Sequence, residues 1–276
     1  MGAQARLSDL LARLSLFSGP APAPPGATWP GAVPHVPDDV AAALAELSDA
    51  SRRSVLDPLG RTGPSGRVGY PTRVSLPFLA RGAERVPTAP ARQIDETTCG
   101  AAVLTALAMA GDPRLALRVA RDPQRQFAAL QRRAHRACAR ELPPWPRRYG
   151  TAPWAAAAVA RFAGVRYTHR VVGAGERGAA VLAAAVAAAA SGVPVPLFSG
   201  GDLGGGWQTA APRHVVLLVD ARDEAGGVVR LYEPSSATAH TVPTSALLAP
   251  EQARERGALT AALGAWPHVV WALLPR

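Results

Sequence analysis

Residues 213–234 read RHVVLLVDARDEAGGVVRLYEP. Two runs rich in β-branched and apolar residues flank a turn supplied by ARDEAGG, a pattern that predicts two antiparallel strands joined as a hairpin. Working downstream, AHTVP (239–243) adds a short strand, residues 245–256 read as a helix, and HVVWALL (268–274) as a closing strand. Working upstream, the order becomes a strand over 193–198, an alanine-rich helix over 176–190, a strand over 165–172 and a helix over 154–162. Before the proline-broken loop LPPWPRRYG (142–150), a helix starting at Asp122-Pro123 sets Phe127, Leu130, Ala134 and Ala137 on one face and arginines on the rest. TTCGAAVLTALAMAGDP (97–113) precedes it: Thr98 is placed to cap a helix that is apolar nearly all round, and Gly111-Asp112-Pro113 stops it. Helices lead and an antiparallel sheet closes the chain, which is the order of an α+β protein.

The amino-terminal part is built differently. Residues 8–17 have helical spacing with Ser8 as the cap, 20–37 form a proline- and alanine-rich linker, and 38–53 read as a short helix with Val40, Leu44 and Leu47 on one face. LDPLGRTGPSGRVGYP (56–71) follows. The expected organisation is therefore a helical, Pro/Gly-rich extension over 1–71 and one domain over 72–276. The extension reads as a docking arm or tail, with a membrane-surface or partner-binding helix as the alternative.

Composition removes several chemistries. All 30 basic residues are arginine, and a Walker A loop, a pyridoxal Schiff base and a lysine general base each need an amine. Two cysteines, Cys99 and Cys138, make no disulfide framework, and neither paired CxxC nor HExxH spacing offers a metal site, so no metal and no cofactor are expected. His135, His169 and His240 lack partners at ligand spacing, and no GxSxG serine elbow appears. No apolar run reaches the roughly 18–20 residues of a membrane span. Asp9 and Arg13 interrupt Leu7, Leu10, Leu11 and Leu14, so no secretion signal is read, and Arg6 breaks the myristoylation pattern after Met1-Gly2. A reducing, cytoplasmic compartment is expected, with leaderless export left open.

Candidate chemistry centres on Cys99 at the first turn of its helix. Backbone N–H groups and the helix dipole favour an anion there, and the thiolate is the reactive form of cysteine; buried cysteine as a small hydrophobe is the competing reading. His214, at the start of a strand, is placed at a sheet rim where it can face a helix N-terminus and serve as base and then acid. Glu233 ends the paired strand, so the hairpin can bring its carboxylate to the imidazole and fix the working tautomer. Gln93, six residues before Cys99, supplies an amide that can join the Cys99 N–H around an oxyanion. Cys138, beside Ala137 on the apolar side of its helix, reads as packing.

Read together, QIDETTCGAA (93–102), RHVVLLVD (213–220) and LYEPSSA (231–237) resemble the papain-like cysteine peptidases of the bacteriocin-processing, double-glycine-leader type and their stand-alone relatives. The resemblance spans roughly 72–275. It implies a papain-like fold, a nucleophile at Cys99, a general base at His214, an orienting acid at Glu233 and an oxyanion role for Gln93. Family members usually carry Asp before the proline and a glycine shortly after it, where this chain has Glu233 and Ala237. Transporter-linked members continue into membrane and ATP-hydrolysing domains; here only thiol hydrolysis of a peptide or amide carries over, not leader cleavage.

Four other readings compete. GAGERG (173–178) matches GxGxxG between a strand and a helix, with Asp202 as a ribose acceptor, although only one βαβ unit is available and Glu176 would repel a phosphate. GGDLGGG (200–206) with Trp207 is a candidate flap over a cleft, or a plain surface loop. A peptidase-like scaffold that binds a protein partner without turnover is the main alternative to an enzyme. Residues 112–148 hold ten arginines against Asp112, Asp122 and Glu141; they read as a solvated face, with recruitment of an acidic substrate or partner as the sharper alternative and nucleic acid disfavoured.

Overall fold

The computed structural model describes residues 6–20, 22, 27–64, 66–80, 88–223 and 226–276, with the side chains of Arg147 and Trp207 outside that description. Met1-Gly2 and parts of the 20–37 linker also fall outside it.

In chain order the elements are α1 (Leu7–Arg13), α2 (Asp38–Ala45), α3 (Asp49–Leu56), β1 (Thr72–Arg73), α4 (Cys99–Gly111), α5 (Pro113–Arg121) and α6 (Pro123–Cys138). There follow α7 (Pro153–Val159), β2 (Arg161–Phe162), β3 (Val165–Val171), α8 (Glu176–Ala190), β4 (Val195–Gly200) and α9 (Trp207–Ala210). The chain closes with β5 (His214–Arg222), β6 (Val228–Glu233), β7 (Thr238–Pro243), α10 (Thr244–Leu248), α11 (Arg256–Ala262) and β8 (His268–Pro275). The strands form one eight-stranded sheet in the order β1-β7-β6-β5-β4-β8-β3-β2. Each of its neighbouring pairs is antiparallel. The protein is thus an α+β fold built on an antiparallel sheet.

Period-two alternation sorts the sheet's side chains onto two cores. Phe198, Val215, Leu217, Tyr232, Trp271 and Leu273 face a cluster formed with α4, α5, α6 and α7. Leu197, Val216, Leu218, Leu231, Ala272 and Leu274 face the other way, against Val181, Leu182 and Ala185 of α8, Leu247 of α10 and Leu259 of α11. A sheet covered on both faces needs apolar residues at consecutive positions, which is why HVVLLVD lacks a polar alternation.

Most helices sit where the pattern places them, and the differences have local causes. Asp112 does more than stop α4: its carboxylate accepts from the N–H groups of Arg114 and Leu115, and Pro113 opens the unexpected helix α5. The single helix expected over 38–53 is two, because Ser48 accepts from Ser51 N–H and caps α3. The helix expected over 245–256 is only the short α10, which ends before Pro250; α11 begins at Arg256. Ser8 does not cap α1; it lies inside the helix, buried, and Arg6 and Asp9 form the capping pair. The 154–162 helix ends at Val159, and Arg161–Phe162 already belongs to the sheet.

Residues 38–73 join the main core. Val40, Leu44, Val55 and Leu59 are buried in the same cluster as α4, β1 pairs with β7, and the Arg230 guanidinium donates to the carbonyls of Leu59 and Gly60. Among the described residues no helix is long and apolar enough to cross a membrane.

Candidate active site

Three elements deliver the three side chains. Cys99 is the first residue of α4, at 1% exposure, with Thr98 at the N-cap position. Thr98 does not cap with its side chain; its hydroxyl donates to the Asp95 carbonyl and accepts from Asp95 N–H, closing the turn that aims the chain into α4. His214 opens β5, paired with Ser199 of β4. In the hairpin Leu217 stands opposite Tyr232, a register that carries Val216 opposite Glu233. His214, two residues further along, then lies diagonally across from Glu233 on the same face, within reach of a long side chain.

The contact is made. The His214 ring donates from Nε2 to Glu233 Oε1 at 2.7 Å, and the Cys99 side chain is near enough to the same ring to favour its charged form. With Nε2 committed to the carboxylate, Nδ1 is the nitrogen left to the sulfur. Glu233 is itself held at both oxygens: Oε1 accepts from Ser235 N–H at 2.7 Å, and Oε2 accepts from Ser236 N–H at 2.8 Å and from the Ser236 hydroxyl at 2.6 Å.

These bonds set the charges. Burial raises the Glu233 carboxyl, but the bonds from His214, Ser236 and Ser235 outweigh it and hold the group at about 2. Burial likewise lowers His214, and its interactions with Cys99 and Glu233 override it, pushing the imidazole up to about 9. A protonated imidazole between a buried carboxylate and a thiol is the arrangement that a thiol nucleophile requires.

Gln93 is tied to both sides of this site. Its backbone N–H donates to the Pro234 carbonyl at 2.9 Å, one residue from Glu233. Its side-chain Nε2 donates to the Asp95 carbonyl at 2.9 Å, in the turn before Cys99, which leaves one amide hydrogen uncommitted. The 92–94 segment is braced from α6, where Gln131 accepts from Ile94 N–H and donates to the Arg92 carbonyl.

Other residues around the site went unread in the sequence. A Cβ on Gly264 would fall 2.3 Å from His214 Cδ2 and 2.6 Å from Nε2, so this glycine, at φ +69°, is the wall against which the imidazole rests. The only sequence signal was a glycine ending a helix in TAALGAWP. Gly150 lies on the opposite flank, its would-be Cβ 4.0 Å from Cys99 Sγ. Ser236, visible in LYEPSSA, supplies the short bond to Glu233. Ala237 adopts φ +56°, the left-handed conformation that glycine reaches without strain.

The rival motifs lie elsewhere. In GAGERG the Ala174 N–H, just before α8, is taken by Asp9 Oδ1 at 2.7 Å, so a carboxylate of this same chain occupies the anion position. A Cβ on Gly173 would meet Ala12 at 2.6 Å and one on Gly178 would meet the Gly173 carbonyl at 1.7 Å, which accounts for both glycines by close packing. In GGDLGGG, Asp202 Oδ1 lies 3.2 Å from His268 Nε2, while the proposed lining residue Trp207 has its side chain outside the described residues. His169 accepts from Trp271 Nε1 at 3.4 Å and His240 bonds Thr238. Cys138 is buried, and that burial pushes its thiol up to about 12. Among the described residues no three His, Cys, Asp or Glu side chains gather as a metal site. Arg118, Arg125, Arg132, Arg133 and Arg136 are exposed along α5 and α6. No protein-family model matches the chain, and no curated protein matches it in sequence.

Proposed function

We propose that this protein is a thiol-dependent hydrolase of papain-like fold that cuts a peptide or amide bond through an acyl-enzyme on Cys99. The observation that carries the reading is the hydrogen bond from His214 to a Glu233 carboxylate fixed at both oxygens, on an imidazole whose charged form Cys99 also favours.

The chemistry follows from the charges. With the thiol proton held on His214, the Cys99 sulfur attacks as the thiolate, a C–S bond forms to the substrate carbonyl carbon, and the carbonyl electron pair moves onto oxygen. That oxyanion is received by the Cys99 N–H, one of the N–H groups that a helix start leaves without an intrahelical partner, and by the remaining amide hydrogen of Gln93. Collapse breaks the C–N bond, and His214 gives its proton to the departing amine. The neutral imidazole then takes a proton from water, hydroxide attacks the thioester, and the C–S bond breaks to release the acid. Glu233 steadies the imidazolium throughout, as the resemblance to bacteriocin-processing peptidases and their stand-alone relatives implies. The substrate is a peptide or protein, and exposed arginines on α5 and α6 favour an acidic one.

Trapping tests it: a peptide-like electrophile should label Cys99 in the native protein and leave Cys99→Ser unlabelled at that position. The 1% exposure of Cys99 favours a second reading, a peptidase-like scaffold that binds a partner without turnover. An unlabelled Cys99 in folded protein would select it.

A further inference from the structure

We propose that His240 is a positioning residue for the Glu233 carboxylate, acting from β7 through the hydroxyls of Thr238 and Ser236; this rests on the hydrolase reading above. Four side chains form a continuous line. Ser236 Oγ lies 2.6 Å from Glu233 Oε2, Thr238 Oγ1 lies 2.6 Å from Ser236 Oγ, and His240 Nε2 lies 2.9 Å from Thr238 Oγ1.

The direction of every bond in that line is forced. An ionised carboxylate only accepts, so the single Ser236 hydroxyl hydrogen points at Glu233. Ser236 Oγ must then accept from Thr238, which spends the Thr238 hydrogen. Thr238 Oγ1 is left to accept, so His240 must carry its proton on Nε2. The neutral Nε2–H tautomer and the imidazolium both satisfy this, and only the Nδ1–H tautomer breaks the line. All three donors therefore point toward Glu233, and bonds aligned in one sense strengthen one another by roughly 10–30% each.

The topology makes the line possible. Glu233 and Thr238 are direct partners across the β6–β7 hairpin, Thr238 and His240 share a face two residues apart, and Ser236 bridges from the turn. The consequence reaches the reacting groups through Oε1. A carboxylate whose Oε2 is bound by a polarised donor has less charge to offer His214 and no freedom to rotate away from it.

Nitrogen-15 NMR of the full-length protein tests the assignment without any turnover. Neutral His240 should show the Nε2–H tautomer. Thr238→Val and His240→Asn, whose amide sits at the place of Nδ1, should each raise the pH at which His214 titrates by a few tenths of a unit, the size of that cooperative strengthening. Thr238→Ser, and His240→Gln, whose amide reaches the place of Nε2, should restore it. A neutral Nδ1–H tautomer at His240, or a His214 titration unmoved in both Thr238→Val and His240→Asn, overturns the proposal. The two readings fail separately: a shifted His214 beside a Cys99 that no electrophile labels overturns the hydrolase and keeps the relay. A labelled Cys99 beside an unmoved His214 does the reverse.

Discussion

Two helices in this protein, α8 and α4, have starts that look from the sequence like places for an anion. At α8 the anion belongs to the chain itself: Asp9 of α1 accepts from Ala174 N–H, and the glycines at 173 and 178 let the backbones close. At α4 the first residue is the nucleophile candidate, and a histidine from β5 with its own carboxylate stands against it. The helix dipole is the same in both cases. What separates a packing junction from a reactive one is the partner that tertiary structure brings to the helix start, and that partner comes from more than a hundred residues away in each.

Substitutions should therefore act very differently at the two ends. Gly264→Ala puts a methyl group into the His214 ring; it should slow Cys99 alkylation by ~10²-fold, the scale expected of a catalytic group displaced by about an ångström. Glu233→Gln keeps the shape and removes the charge. His214 should then titrate well below about 9, and Cys99 alkylation at pH 6 should fall roughly tenfold, the effect of about one pH unit in the imidazole. Unchanged rates in both variants would mean that His214 does not govern the thiol.

Stability against pH sharpens the same contrast. His214 is raised in the folded state, so its contribution is complete below the ordinary imidazole value of 6.5 and is lost as pH climbs through about 9. Glu233 is lowered, so its contribution is complete above the ordinary carboxyl value of 4.5 and is lost as pH falls toward about 2. Urea unfolding should show a plateau between these limits. Glu233→Gln should flatten the alkaline decline, and an undiminished decline in that variant would assign it to other groups. At the other helix, Asp9→Ala should cost only ~0.5–2 kcal/mol, as the loss of a capping carboxylate does. Cys99 alkylation should not change in that variant; a fall in its rate would couple the two ends.

The contrast also explains what could be read in advance. The hairpin of β5 and β6, the helix starting at Cys99 and the antiparallel sheet follow from local pattern, since each is written in consecutive residues. The helix α5 was hidden because Asp112-Pro113 serves as the end of one helix and the start of the next. Ser8 has the chemistry of a cap, yet the N-cap position lies two residues earlier, at Arg6, which pairs with Asp9. At the site, Cys99, His214 and Glu233 are chemically conspicuous, whereas Gly264 and Gly150 act by lacking a side chain beside a residue distant in sequence. Thr238 and His240 sit in an ordinary strand pattern, and their connection to Glu233 exists only once β7 is paired with β6. The GxGxxG match shows the opposite error, a familiar spacing whose glycines are accounted for by contact with α1 and with each other.

The most direct test alkylates the native protein with iodoacetamide at pH 6 and maps the labelled cysteine by mass spectrometry in the wild type and in His214→Ala. Cys99 should react faster than an unstructured thiol, Cys138, whose thiol is pushed up to about 12, should remain unlabelled, and His214→Ala should slow Cys99 at least tenfold while the fold persists. Equal Cys99 rates in wild type and His214→Ala would contradict the account.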